Sequence, residues 1–520
     1  MRIVHFRGIR RFQKYHIEIS YVTQVELTER TVATAEAFGL GIDGEQRFTI
    51  CNEEIDINQK DVVYITGDSG SGKSSILREF KKIFAAEVAD INELEIITDK
   101  PLIDTIGATM EEALQILSFV GLNDAFLFLR KFRELSDGQK YRYRLAKLIN
   151  GGKKVWVCDE FCSTLDRDTA KIVSWNVQKI ARKLGITLLV ATCNLDLDED
   201  LNANVRIDKR YGSEIKISYN PSPVPRECSL MREITFQEGA MADWKALAQF
   251  HYRSHNIAAP KKFFSLRRGQ ELCGVVVYTS GPVNTFGRKR FFGKVLPIRE
   301  VNEKLTIISR VVIHPKYRTT GLGQRIIRES LPFAPTRYTE TIAVMARYNP
   351  FFEKAGMLWV SEKEIEPKVL NFLAKLKGLG FDTQYVTSRS YTQKFFAAHP
   401  GSLDTIKQMM CLFHHVSYNK IIGHRMVITE YRAWIIAASA EQIANLMHHI
   451  GVMATNKVYL VFDKEWLQHP EQRKLPEVIM PQVKRVEKTD GVYCGYAGGC
   501  AYKGADNSCA RKKGGCRDQK

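Results

Sequence analysis

No run in the chain approaches the roughly 20 consecutive apolar residues of a membrane-spanning helix. The opening MRIVHFRGIRRFQKYH is basic but lacks the apolar core of a secretory signal. The chain is therefore expected to work in the cytoplasm, with no membrane partner. There is no internal repeat and no low-complexity block, which excludes solenoids and argues against disorder. Cysteines in disulfide spacing are also missing: seven of the 11 are scattered, at positions 51, 158, 162, 193, 228, 273 and 411. That suits a reducing compartment. Acidic residues are the minority, 58 against 76 Lys and Arg, for a net charge of +18. A polyanionic partner is expected, with nucleic acid the leading class.

What is present is an ordinary globular composition, 44% hydrophobic and 26% charged, spread over 520 residues. That length exceeds one hydrophobic core, so two or three α/β domains are expected. Strand and helix patterns alternate over 1–220, and a proline-bearing stretch at 221–230 reads as a linker. A second alternating unit occupies 231–390, an α/β extension of unassigned role 391–490, and a Cys-rich basic tail 491–520.

In the first unit, VVYITGDSGSGKSSIL places a β-branched strand before a glycine-rich turn and a helix. Backbone N–H groups of Gly67, Asp68, Ser69, Gly70, Ser71 and Gly72 can converge on phosphate oxygens, joined by Lys73 as a point charge. Ser74, followed by Ser75, offers a hydroxyl to Mg²⁺. A second apolar strand, KKVWVCDEF, ends in Asp159 and Glu160. Asp159 is suited to Mg²⁺ and Glu160 to polarising an attacking water, as a catalytic base for ATP hydrolysis. Between them, LSDGQ opens an amphipathic helix.

These residues resemble the ABC ATPase superfamily, whose signature loop is close to LSGGQ, over roughly residues 30–210. The resemblance implies that Ser136, Gly138, Gln139 and the following helix start bind the γ phosphate held by an opposite subunit, so a homodimer through these heads is expected. STLD at 163–166 matches the family's D-loop. Three features depart from it. Cys193 stands where the family has a switch histidine, which predicts slow turnover. The only glutamine between the phosphate loop and the signature is Gln115, placed by pattern in a helix. The helical insertion is short, with 63 positions from Lys73 to Ser136.

The second unit reads as strand, helix, strand, strand plus helix, strand and helix. Its VVIHPKYRTTGLGQRII carries R-x-x-G-x-G at Arg318, Gly321 and Gly323. In order and in this loop it resembles the GNAT acyltransferase fold, which implies that backbone N–H groups cradle the pyrophosphate of acetyl-CoA or a related acyl donor. Where the family often has an acidic tyrosine, FFEKAG holds Phe352, leaving Tyr348 as the candidate catalytic acid. His251, His255 and Glu303 are candidate bases, each with a packing or surface role as the alternative. FHYRSH and TFGRKRFFGK resemble parts of phage Mom-type DNA modification proteins, and GRKRFFGK could track phosphates and stack bases or form a solvated basic hairpin.

In the tail, Cys494, Cys500, Cys509 and Cys516 could hold tetrahedral Zn²⁺ or an iron–sulfur cluster, or remain free thiols. The expected whole is an ATP-dependent nucleic-acid-modifying acyltransferase. The alternatives are an ATP-regulated protein or small-molecule acetyltransferase, and a DNA-binding clamp whose GNAT unit is not catalytic.

Overall fold

The computed structural model describes residues 3–5, 13–23, 25–41, 46–251, 257–344, 346, 349–363, 365–413, 426–454, 457–470 and 473. The candidates Tyr348, His255, Cys494, Cys500, Cys509 and Cys516 lie outside the described residues. The chain divides into two compact units, one made of 1–280, 306–335 and 345–356, the other of 281–305, 336–344 and 357–520.

The first unit opens with strands β1 (Ile3–His5), β2 (Gln13–Thr23) and β3 (Gln46–Ile57), an antiparallel sheet in that order, with helix α1 (Glu29–Phe38) between the second and third. A six-stranded sheet follows, built from β4 (Val62–Gly67), β5 (Val88–Asp90), β6 (Val155–Cys158), β7 (Thr187–Ala191), β8 (Val205–Lys209) and β9 (Ile215–Tyr219). Its order is β5-β6-β7-β4-β8-β9, parallel except for β9.

β4, β6 and β7 are buried along their length apart from the terminal Gly67, as expected of parallel strands covered on both faces. Alternation divides their side chains between two cores. Tyr64, Trp156 and Leu188 face one apolar cluster; Val63, Ile65, Val157 and Leu189 face another, shared with Ile17 and Ile55 of the first sheet. The helices that serve the site are α2 (Lys73–Ile83), α3 (Met110–Phe119), α4 (Ala125–Phe128), α5 (Asp137–Asn150) and α6 (Arg167–Leu184). Asp166 starts α6 by accepting a hydrogen bond from Thr169 N at 3.0 Å.

The same unit continues with β10 (Ile234–Glu238), β11 (Pro260–Arg268), β12 (Glu271–Ser280) and β13 (Leu305–Ile313), each antiparallel to the next. β12 is buried over most of its length, and Trp244 and Leu247 of the helix Met241–Leu247 pack against its Val275 and Val277. Helix Leu322–Ser330 follows β13, joined to β12 by the pair Tyr278 Oη and Ser330 Oγ at 2.8 Å.

In the second unit, β14 (Tyr338–Ala343), β15 (Leu358–Lys363) and β16 (Lys457–Asp463) form antiparallel pairs, with β16 in the middle. Among the described residues, five α-helices inserted between β15 and β16, from Pro367–Gly378 to Ala440–Met453, have their own core around Phe372, Leu376, Ile406, Tyr431 and Leu446. The sequence boundary at 390 falls inside one of them, Arg389–Ala398.

Candidate nucleotide-binding site

The parallel sheet brings the carboxyl ends of β4, β6 and β7 to one edge, where open α/β sheets bind ligands. Two backbone bonds lace that edge: Phe161 N donates to Ala191 O at 2.8 Å and Thr192 N to Ile65 O at 3.0 Å. Gly67 ends β4 and Asp159 follows β6 directly, so the glycine turn and the acidic pair emerge at the same edge from the two strands that flank β7.

Gly67 has φ +133, and a Cβ there would stand 1.9 Å from the backbone oxygen of Lys209. Only glycine lets β8 approach this closely. Lys73 is the first residue of α2, and its ammonium donates to Gly67 O at 2.9 Å and Asp68 O at 2.5 Å. Ser71 Oγ is buried with no hydrogen-bond partner among the described residues. An unpartnered hydroxyl beside a lysine and a helix start fits phosphate oxygens. Ser74 is half-buried and Ser75 buried, the latter at 3.0 Å from Tyr21 Oη, and Tyr211 Oη donates to Ser69 O at 2.7 Å.

Glu160 is exposed and adopts φ +50, in the left-handed region, and its N–H bonds Asp159 Oδ1 at 3.0 Å. A non-glycine residue in that conformation is uncommon and marks a constrained turn. Beneath it, burial pushes the Cys158 and Cys162 thiols well above their ordinary range, so they serve as packing, not chemistry. Asp159 and the Ser74 hydroxyl offer oxygen donors, the kind Mg²⁺ takes. When bound, the metal would supply charge neutralisation between β and γ phosphates.

Ser136 is the N-cap of α5, and its N–H bonds Gln139 Oε1 at 3.1 Å. A Cβ on Gly138 would lie 3.1 Å from Leu165 Cδ2, so the signature start and the segment 163–166 touch. Ser136 is exposed, as is Cys193 just past β7. Gln115 is exposed on α3.

Sequence reasoning missed Tyr21 and Phe48. They are paired across β2 and β3, 45% and 56% exposed, beside the turn through the Tyr21–Ser75 contact. Two exposed aromatics facing solvent near a phosphate loop form a surface on which a flat ring can stack. Their only sequence signal is β-propensity, 52 and 25 positions before Lys73.

The second glycine turn sits in different surroundings. Arg318 donates to Ile313 O at 3.0 Å, Asn123 O at 3.1 Å and Phe250 O at 3.3 Å, so its guanidinium is committed to protein carbonyls. Burial lowers its pKa. Asn176 Nδ2 of α6 donates to Thr319 Oγ1 at 2.9 Å, and Asp168 of α6 pairs with Lys316 at 2.5 Å and Arg268 at 2.8 Å. Partial burial opposes ionisation of Asp168, but the two cations together hold it below the usual carboxylate range.

Gly321 has φ +92, and a Cβ there would meet nothing within 4 Å; Gly323 lies near the Phe351 ring. The turn is therefore open at Gly321. Phe352 is 7% exposed and stacks on Phe351 at 4.2 Å, and Glu303 pairs with Arg299 at 2.9 Å. His251 lies edge-on to Trp244 at 5.8 Å. Between the signature helix and this turn is a cleft of about 360 Å³, lined in part by Asn123, Gln139, Arg142, Thr169 and Lys316. Among the described residues no cluster of His, Cys, Asp and Glu could hold a metal.

No known family profile matches the chain. It is 29% identical to the methionine import ATP-binding protein MetN of Clostridium tetani, over 36% of this chain and 72% of that protein. It is 27% identical to MetN of Clostridioides difficile, over 29% of this chain and 59% of that protein. The chain thus spans between about half and three quarters of the lengths of the MetN relatives it matches. Among solved structures, the dimeric post-hydrolysis ATP-binding cassette MJ0796 bound to ADP and Pi is 19% identical, covering 34% of this chain and 93% of that one, with a TM-score of 0.28. No helix among the described residues is long and apolar enough to cross a membrane. Over about a third of its length the chain thus carries a nucleotide-binding domain of the ABC ATPase type.

Proposed function

We propose that the chain is an ATP-driven group transferase acting on nucleic acid, in which closure of paired ABC heads is transmitted to a GNAT-like second module. The observation that carries this reading is the junction on α6. Asp168, two residues past Asp166 of the D-loop segment, holds Lys316 and Arg268, while Asn176 holds Thr319 in the second glycine turn. A change in the nucleotide site therefore has a short, polar and partly buried route to the turn.

Lys73 and the 67–72 amides would hold the phosphates, Tyr21 and Phe48 the adenine, and Asp159 with Ser74 the Mg²⁺. Glu160 would orient the water, and the partner head's Ser136 loop would close the site. The amides of Gly321 to Gly323 would take the diphosphate of an acyl carrier such as acetyl-CoA. The excess of basic residues supports nucleic acid as the acceptor. Mass spectrometry of nucleosides from cells expressing the chain tests this. A shifted nucleoside is expected with the natural chain and not with Lys73→Ala; unchanged nucleosides in both overturn the transferase.

A second reading, a clamp whose second module only binds, is favoured by the buried Phe352 and by the commitment of Arg318 to carbonyls. The relatives' import role would instead require a membrane partner that stimulates hydrolysis. Reconstitution into vesicles tests for it.

A further inference from the structure

Between β12 and β13, the segment 281–304 contains six Lys and Arg against two Glu, and it includes GRKRFFGK. In the structure it forms a cleft of about 250 Å³ in the second unit, lined in part by Val283, Asn284, Phe286, Lys289, Lys294 and Val295. We propose that this cleft is a docking site for single-stranded nucleic acid. The phosphate would lie on Lys289 and Lys294, and one base would sit among Phe286, Val283 and Val295. The inference rests on the choice of nucleic acid made above, and it names where that partner is held.

Three features carry it. The first is a wall fixed from behind. Arg288 is buried and its guanidinium meets Glu340 at 2.5 and 3.2 Å, Pro282 O at 3.0 Å, Val283 O at 2.9 Å and Thr285 Oγ1 at 3.0 Å. Tyr459 Oη donates to Glu340 Oε2 at 2.8 Å, so the pair is fully hydrogen-bonded within protein and the loop 282–288 is wrapped around it. A buried ion pair of this kind fixes geometry more than it adds stability.

The second is exposed apolar surface: the basic run folds as the short helix Arg288–Phe292 and not as a solvated hairpin, and beside it Val283 is 57% and Val295 69% exposed, with Phe286 half-buried in the same cleft. The third is uncompensated charge. Lys289 and Arg290 are exposed and have no ion-pair partner among the described residues, whereas Lys294 shares Glu300 with Lys304. Cations beside a small apolar cleft with an amide, Asn284, match the stacking-plus-phosphate chemistry by which single strands are bound. The volume suits one nucleotide unit and is below that of drug-sized pockets.

Fluorescence anisotropy with labelled dT and rU oligomers of twelve nucleotides, on the full chain, tests it. Lys289→Glu combined with Lys294→Glu should weaken binding at least tenfold and lower the slope of log affinity against log salt by about 1.4, from about 0.7 per phosphate contact. Lys289→Arg should bind as the natural chain does. Phe286→Leu should weaken binding about fivefold with the salt slope unchanged. Circular dichroism and ATP binding equal to the natural chain show that each variant is folded.

Tight binding by the natural chain with no loss in either variant would overturn the cleft assignment while leaving nucleic acid as the partner. No binding of any oligomer at low salt would overturn both. Equal displacement by polyglutamate would show a general anion surface, which also overturns the proposal.

Discussion

Two glycine turns share one local design, a strand, a tight turn and a helix, yet the protein uses them differently. At 67–72 the turn packs closely on β8, and its lysine rests on its own loop carbonyls. At 318–323 the turn is tied to another part of the chain through Arg318, Thr319 and the neighbouring Lys316. The first is shaped by the close approach of β8, because only glycine fits against Lys209, and the second by side-chain ties to other segments. A motif read as a ligand cradle can therefore also be a joint, and only the partner of its one long side chain distinguishes the two.

The largest test of the difference acts on the first turn. Glu160→Gln keeps the acidic turn's shape but removes the carboxylate proposed as the base. ATP hydrolysis should fall about a thousandfold, about 4 kcal/mol in the barrier. Light scattering should then show an ATP-dependent dimer that persists. If the turns are coupled, product formation at the second module stops in the same variant; if it continues at the natural rate, the junction on α6 is only structural.

Glycine substitutions come next. Gly67→Ala must move Lys209 and accept a left-handed backbone, which costs roughly 3 kcal/mol or more. Gly321→Ala has open space and carries only the backbone strain, about 1 kcal/mol. Urea unfolding of the two variants measures the gap, and equal losses would mean that the close approach of β8 is not maintained in solution.

Arg318 ranks below these. Arg318→Ala leaves three carbonyls without their donor and should cost about 2 kcal/mol. Arg318→Lys should recover less than half, because an ammonium cannot span three directions as a guanidinium does. ATP affinity should stay within twofold. A variant that keeps its stability but loses coenzyme A binding would return Arg318 to the role that its motif suggests.

How much of this is legible in sequence depends on the range of each contact. The strand 62–67, the turn and α2 are written in adjacent residues, as are β6 with its acidic end and the helix opened at Ser136. β11 is harder to see, because PKKFFSLRR places Lys and Arg at both ends of a strand in which Phe264, Ser265 and Leu266 are deeply buried, so no alternation shows. The position of β16 between β14 and β15 pairs Val458 with Ala343, across a long helical insertion, and no local pattern encodes it. The role of Arg318 is hidden for the same reason: its most telling partner, Asn123 O, is 195 positions away.

The smallest expected effect separates the turns by pH. His314 precedes the second turn, its ring edge-on to Phe250 at 5.1 Å and its Nδ1 accepting from Lys316 N at 3.4 Å. Burial lowers its pKa; among the charges facing it, Glu271 opposes that shift, while Lys316 and Arg318 reinforce it. A histidine with a depressed folded pKa binds its proton more readily when unfolded. Its contribution is complete above the unfolded value near 6.5 and is lost as pH falls toward the folded value. Because the ring is only partly buried, the effect should be roughly a few tenths of a kcal/mol. Between pH 7.5 and 5.5, amide exchange at 316–321, corrected for its intrinsic pH dependence, should rise relative to exchange at 67–73, which has no histidine nearby in sequence. His314→Gln should abolish the difference; if it persists, protonation elsewhere loosens the joint and the ring is only a packing group.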